Sequence, residues 1–303
     1  MFESKEALFV LFSIPLYTVL IGLEIILSNW QHRNFYTIRG VLENVLFTLL
    51  NGSLDVFLRG LFYFSVLAWS FQHAFLKIEN IYIYWFLLFI LEDLAFYVEH
   101  RVDHFCRIFW AVHVTHHSSD DFNLTTGFRS SVFQPVYRFF YFIPIAMLGF
   151  KPLDIIFMYA ITQTYGILVH TQYVKKMPKW FEAIFVSPAH HRVHHASNVT
   201  YLDKNMGMCL IIWDKMFGTF QDELEEEPVK FGLTKPMPQT NNPFKLIFHE
   251  WISIKNDFNK KTPLATKLKY LFMPPGWSHD GSSLTSEELR KQQGSNEMRK
   301  ELS

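Results

Sequence analysis

Three observations predict an all-α integral membrane bundle of four to five membrane segments, capped by a histidine-rich helical region. Long apolar runs recur over the first part of the chain, histidines crowd at helical spacing where those runs end, and polar residues collect toward the C-terminus. Half of the 303 residues are hydrophobic and 18% are charged, against roughly 25% in an ordinary soluble domain, which excludes a disordered chain. Mean hydropathy is only +0.08 because an apolar first part is averaged with a polar last part. With 28 basic and 28 acidic side chains the net charge is zero, so no field attracts nucleic acid and none is expected as a partner.

Residues 7–28 form the first expected span, since about 20 apolar residues cross the hydrocarbon core and only Glu24 is charged. The acidic start, Met-Phe-Glu-Ser-Lys-Glu, with no small-residue cleavage pattern after the run, favours a retained anchor over a removed signal peptide. Residues 41–71 are apolar but interrupted by Asn51-Gly52-Ser53, which predicts one span preceded by an interfacial or re-entrant piece. Residues 81–98 can cross or nearly cross, carrying Glu92 and Asp93, and lead straight into the first histidine pair. Residues 139–150 and 153–169, separated by Lys151-Pro152, read as a helical hairpin. After His170 the chain turns polar, and from about Ser282 it has the composition of a solvated tail. These shifts divide the chain into membrane segments over 1–72, a catalytic region over 81–222 and a polar extension over 223–303. Arg101, Arg107, Lys175, Lys176 and Lys179 flank the histidine groups, so by the positive-inside rule the site is expected to face the cytoplasm. Two cysteines, Cys106 and Cys209, cannot build a disulfide framework and are expected to be packing residues in a reducing compartment.

The histidines form three groups. His100 and His104 are spaced H-x3-H, while His113, His116 and His117, and again His191, His194 and His195, are spaced H-x2-H-H, with His190 just before the last set. Residues three and four apart share a helix face, so each group is expected to present its imidazoles to one point. One such pair fits a solvated helix face as well as a metal site; three groups in one chain point to metal. Zinc normally takes four ligands, so these eight histidines, with His170 as a possible ninth, imply two ions. Imidazole suits iron, zinc, copper and nickel alike, and the spacing does not choose among them. His170, ending an apolar run, is either a ligand or an interfacial residue, and His190 is either a further ligand or a support for the others. Asp93, Glu99 and Asp103 are placed on the same helix to balance charge by accepting free ring N–H groups. A membrane zinc protein without redox chemistry fits the same ligands. A metal conduit fits less well, because the histidines gather near extramembrane turns.

The segment Trp110-Ala-Val-His113-Val-Thr-His116-His117-Ser-Ser-Asp120-Asp121-Phe-Asn123, followed by Arg129-Ser-Ser, and the segment His190-His191-Arg-Val-His194-His195, continued by Asn198, Tyr201, Asp203-Lys-Asn205 and Trp213-Asp214 through Phe220, carry a resemblance. Over about residues 85–220 the chain resembles the fatty acid hydroxylase/sterol desaturase superfamily of membrane di-iron enzymes, nearest its alkylglycerol monooxygenase branch and bacterial relatives. The resemblance implies two iron ions, O2 as co-substrate, a lipid substrate reached from the membrane and a separate electron donor, with hydroxylation of a C–H bond preferred and sterol or isoprenoid desaturation as the alternative. The implied metal residues are His100, His104, His113, His116, His117, His170, His190, His191, His194 and His195. Asp93, Glu99, Asp103 and Asn123 are the implied supporting residues, Asn123 by hydrogen bonding around the histidine loops. Phe105 is a departure, standing where the alkylglycerol enzymes have a glutamate after the second histidine, which counts against carrying over their substrate and tetrahydropterin dependence. Trp213-Asp214 with Phe217-Gly218 reads as a folding motif rather than a catalytic one.

Overall fold

The computed structural model describes residues 5–235 and 242–301. Among these residues there are no β-strands, only isolated antiparallel bridges at Phe185–Leu210 and Ala196–Phe231. The long helices come first: α1 (Lys5–Trp30), α2 (Ile38–Leu58), continued through a π turn at Arg59–Tyr63 into α3 (Phe64–Gln72), and α4 (Ile81–Phe105). Lys5–Trp30, the continuous Ile38–Gln72 and Ile81–Phe105 are each long and apolar enough to cross a membrane. The chain is a membrane protein, and α1 has the inverted character this requires. Its buried residues are Ser13, Glu24 and Ser28, while Phe12, Val19 and Ile26 lie exposed.

Asn51-Gly52-Ser53 does not interrupt the second run as its composition suggested. The helix passes through it because Asn51 donates its side-chain N–H to Ser131 O (2.7 Å) instead of competing with its own backbone. The irregularity sits later, at the π turn, where Arg59 pairs with Asp55 (2.6 Å) and with Glu6 of α1 (2.5 Å).

α5 (Arg107–His117) follows α4 after a break at Cys106, whose φ of −131° and ψ of 115° are extended. The first arm of the expected hairpin is instead a series of short turns, α6 (Pro135–Arg138), a 3-10 turn at Phe139–Phe142 and α7 (Ile143–Met147). Pro135 and Pro144 start helices readily but deprive a continuing one of N–H donors. The second arm is α8 (Pro152–Leu168), 17 residues or about 25 Å long, somewhat short of the roughly 30 Å hydrocarbon core. The short helices α9 (Lys179–Glu182), α10 (Pro188–His194) and α11 (Ile212–Phe217) lie in the polar part, followed by α12 (Pro243–Phe258), α13 (Leu264–Phe272) and α14 (Ser286–Glu301). The segment with a tail's composition is therefore helical in α14, where Thr285 and Glu288 exchange side-chain-to-backbone hydrogen bonds in a capping box.

The long helices share a polarity that places the site. At one end Lys5 of α1 and Tyr84 of α4 both reach Asp154 of α8 (3.3 and 3.0 Å). At the other end the C-termini of α1, α4 and α8 and the N-terminus of α2 converge on the histidines. Leu67, Tyr84, Leu88, Phe142, Ile145 and Ile155 form the apolar core between α3, α4, α7 and α8, so the site lies beyond the apolar packing.

Candidate metal centre

Nine of the ten candidate histidines come together in two groups. His100, His104, His113, His117 and His194 form one, and His116, His170, His191 and His195 the other, the candidate ligand atoms within each lying within 4.8 Å of one another. The groups are neighbours, with the His117 and His195 rings stacked at 4.5 Å between centroids. Each H-x2-H-H motif is split: His113 and His117 serve the five-membered group while His116 serves the other, and His191 and His195 serve the four-membered group while His194 crosses to the first. The expectation that each motif aims at one point is thus corrected. Positions i and i+4 share a face, whereas i+3 and i+4 are adjacent residues about 100° apart around the axis and can diverge.

The sequence builds each ligand helix from nearby supports. Asp93 accepts from Cys209 N (2.8 Å), Leu210 N (3.1 Å) and Trp213 Nε1 (2.9 Å), fastening the 206–213 loop to α4. Asp214 accepts from Met206 N (2.7 Å) and Gly207 N (2.8 Å), which makes Trp213-Asp214 the folding motif its sequence suggested. α10 starts with Pro188 after Ser187, whose side chain accepts from His190 N (3.3 Å). His190 itself lies outside both groups. Its Nδ1 accepts from Ser187 N (3.2 Å), closing the capping box, so this histidine starts the helix that carries His191 and His194 and leads into His195.

Imidazole orientation is set mostly by backbone. Nδ1 of His100, His116, His170 and His194 faces the carbonyls of Met206, Arg129, Gly166 and Lys204 at 2.7–2.9 Å, and Nδ1 of His104 faces Asp203 Oδ1 at 3.1 Å. These acceptors place the proton on Nδ1 and leave Nε2 as a lone pair turned inward, the form a metal binds. The loop 203–206 alone supplies acceptors for His104, His194 and His100. Its shape depends on Asp203 and Asn205 at φ of 53° and 55°, a region that Asn and Asp tolerate better than most residues. Nothing in the histidine spacing marks this loop; its signal is the Asp203-Lys-Asn205 run after the last motif.

The inward nitrogens fit a cation. Nε2 atoms of His100 and His113, His113 and His117, His170 and His195, and His170 and His191 approach to 2.9–3.2 Å. Where a carbonyl holds the proton on Nδ1, as at His100 and His170, the inward Nε2 is an acceptor, and a cluster of such acceptors fits a positive ion. The buried Nε2 atoms of His104 and His194 have no hydrogen-bond partner. Two imidazoles bound about 2.1 Å from one ion stand about 3.0 Å apart at right angles and about 3.4 Å apart at the tetrahedral angle. The observed spacings are shorter than the tetrahedral one, and the five-membered group has one histidine more than four-coordinate zinc uses. Burial pushes His113, His117, His170, His191, His194 and His195 well below the ordinary imidazole range and His116 down to about 4, neighbouring histidines adding to the effect, so these rings are neutral at pH 7.

The supporting acids divide. Asp103 accepts from Tyr137 (2.7 Å) and Gln134 (3.0 Å), and its Oδ2 lies 3.5 Å from His113 Nδ1, close enough to bias that ring. Glu99 accepts from Arg138 Nε (3.3 Å), one step removed from the histidines. Asp93 supports the loop as described. Asn123 shapes its own turn, accepting from Thr125 N (2.9 Å) and donating to Phe35 O (2.7 Å). Three supports were not anticipated. Glu24 of α1 accepts from Leu124 N (2.9 Å), Thr171 Oγ1 (2.5 Å) and Tyr36, tying a membrane helix to the residue after His170. Arg129, buried and over the Phe47 ring, donates to Thr115 O (2.9 Å), Asn44 (3.1 Å) and Ser118 (2.8 Å). Arg192 joins Glu223 (2.6 Å) to the carbonyls of Thr171 (3.1 Å) and Val174 (2.6 Å).

A cavity of about 120 Å³ opens between the groups and the membrane helices, room for several water-sized molecules. His100 and His113 of the first group and His116, His170 and His191 of the second reach it, beside Phe96, Ile167 and Met208 and the polar Ser131, Gln134 and Gln163. At its edge a Cβ added to Gly127 would come within 2.9 Å of the Ile167 backbone and 3.1 Å of His170 Nδ1, so only glycine lets the two segments approach.

Fold and site together define a helical membrane protein with a double histidine centre. Residues 85–219 match the family model for fatty acid hydroxylase. Human alkylglycerol monooxygenase is 39% identical over 197 residues, 64% of this chain and 42% of that protein. An ornithine lipid hydroxylase from Rhizobium tropici is 27% identical over 147 residues, 48% of this chain and 44% of that protein. A Delta(7)-sterol 5(6)-desaturase from Candida glabrata is 25% identical over 134 residues, 43% of this chain and 34% of that protein. The chain spans about two-fifths of the length of the alkylglycerol monooxygenases it matches. No solved structure is a significant match.

Proposed function

We propose that the chain is an O2-dependent di-iron lipid oxidoreductase that hydroxylates a C–H bond of a membrane lipid, whether fatty acyl, alkylglycerol ether or sterol-like. The observation that carries this reading is the pair of adjacent all-histidine groups sharing one cavity at the end of membrane-length helices. His100, His104, His113, His117 and His194 would hold one iron and His116, His170, His191 and His195 the other. Bound there, the pair would supply the redox chemistry that activates O2, which no protein side chain in the cavity provides. Carbonyls and Asp203 hold ring protons outward, Asp103 offsets charge at His113, and the apolar wall of Phe96, Ile167 and Met208 keeps bulk water from the reacting carbon.

One oxygen atom enters the C–H bond and the other leaves as water, so two electrons and two protons come from a separate donor, a protein or a small reductant such as tetrahydropterin. Residues 1–72 would anchor the enzyme, 81–222 form its catalytic region and 223–303 its extension. The lysines and arginines near the site support a cytoplasmic orientation.

Metal analysis of detergent-purified protein produced with iron is the direct test. About two irons per chain, reduced in His116→Ala, support the proposal, whereas one tightly held zinc with no iron would sink it. Lipid mass spectrometry of cells with and without the protein then separates the chemistries. A gain of one oxygen supports hydroxylation, a loss of two hydrogens points to desaturation, and an unchanged profile with reductant supplied counts against both.

A further inference from the structure

Two helices beyond the family domain take no part in the centre, yet they are firmly mounted beside it. α12 buries Leu246 and Ile247 against Phe47 of α2 and against Val132, and α13 buries Tyr270. Arg107, at the junction of α4 and α5, locks both: its guanidinium reaches Glu250 (2.7 Å), Asp257 (2.6 Å) and Ser253 (2.9 Å) of α12, and its backbone N–H donates to Met273 O just after α13 (3.2 Å).

The outward faces have a different composition. On α12, Phe244, Phe248 and Ile252 recur every fourth residue and are 40–56% exposed; on α13, Leu264, Leu268 and Phe272 do the same at 43–68%. Residues four apart lie on one helix face, so each helix leaves an unpartnered apolar stripe. The two acids of this pair of helices, Glu250 and Asp257, are engaged by Arg107, while Lys245, Lys255, Lys261, Lys267 and Lys269 surround the stripes. At 16 and 9 residues, about 24 and 14 Å, neither helix can span the bilayer.

We propose that α12 and α13 lie in the plane of the bilayer surface at the histidine end, with their apolar stripes at the headgroup–acyl boundary and their lysines on anionic headgroups. Short, lysine-rich amphipathic helices with Phe, Leu and Ile on one side suit that boundary. Continuity favours lipid over a protein partner: the opposite face of α12 rests on Phe47, ten residues into the membrane-length helix that starts at Ile38, so the bilayer surface is already adjacent. The inference stands independently of the reaction proposed above.

The test uses the full chain in nanodiscs of zwitterionic lipid with or without phosphatidylglycerol. Phe248→Cys and Leu268→Cys are made separately in a Cys106→Ser background, Cys209 being buried, and labelled with a fluorophore; Asp280→Cys serves as an aqueous reference. Both stripe labels should be quenched several-fold more than the reference by a lipid carrying a nitroxide high on its acyl chain, and several-fold less by iodide. Changing the five lysines to glutamate should raise iodide quenching of both labels, most of all in the anionic discs. Iodide quenching equal to the reference would overturn the proposal. Shielding from both quenchers, with cross-linking between copies through the same cysteines, would overturn it in favour of a protein interface.

Discussion

The two histidine groups grow from the same motifs but are built unequally. In the five-membered group every ring is buried, and loop 203–206 holds three of them by Nδ1 from one side. In the four-membered group His116 is only half-buried, and the buried Nδ1 of His191 has no hydrogen-bond partner. Three of these four rings line the cavity, against two of the five. If each group held an ion of the same coordination number, the four-membered group would leave it one more free position. The difference teaches that a repeated motif need not make equivalent sites: one group is a fixed anchor and the other is the more open partner.

The largest break in this comparison comes from removing one ligand on each side. His191→Ala leaves three histidines in the open group and should lower metal content from two ions per chain toward one and abolish turnover. His194→Ala leaves four in the anchor group, and its metal content should stay nearer two. Elemental analysis of the two purified variants checks this; equal metal loss would erase the asymmetry.

A smaller effect is expected one step out. Asp103→Asn keeps the hydrogen bond from Tyr137 but replaces the carboxyl group 3.5 Å from His113 Nδ1, and substitutions of this kind typically cost about 10–100-fold in metal affinity or activity. On the other group, Glu24→Gln should act through Thr171, next to His170, weakening a buried hydrogen-bonded clamp worth about 1–3 kcal/mol. Thermal unfolding of the metal-free forms, with iron affinity measured beside it, separates the two. If Glu24→Gln leaves both melting temperature and affinity unchanged, the clamp is not a support.

What the sequence could reveal follows from range. The i, i+3 and i, i+4 spacings are local, so the clustering of the histidines was legible, and so were the membrane-length apolar runs. The division of the histidines between the two groups was not, because His194 leaves its own motif's pair to join residues about 75–95 positions away. The role of Glu24 was hidden for the same reason: its partners Leu124 and Thr171 lie 100 and 147 residues distant. Asp93 and Asn123 carry the residue types of a metal-supporting group, yet they were drawn into loop architecture by nearby N–H donors that spacing does not display. At Asn51-Gly52-Ser53 composition signalled a break, and a side-chain contact to Ser131 overrode it.

The mildest perturbation is acid, and it should touch the open group first. Burial holds His116 at about 4, against an ordinary imidazole value of about 6.5 in the unfolded chain, and it holds His191 and His195 well below their ordinary range as well. Between about pH 6.5 and 4 the unfolded metal-free chain therefore binds protons that the folded chain does not. The stability contributed by the neutral ring is present above pH 6.5 and falls steadily toward pH 4. Protons also compete with metal for Nε2, and the half-buried His116 is the ring they reach most easily. Titrating the iron-loaded protein downward from pH 7 should release iron from the four-membered group before the five-membered one, read as two separate steps in bound metal. In His116→Gln the earlier step should move or vanish while the later one stays. A single step in the native protein, unchanged in that variant, would mean that the two groups hold their ions as one unit and that the inequality of their surroundings has no thermodynamic consequence.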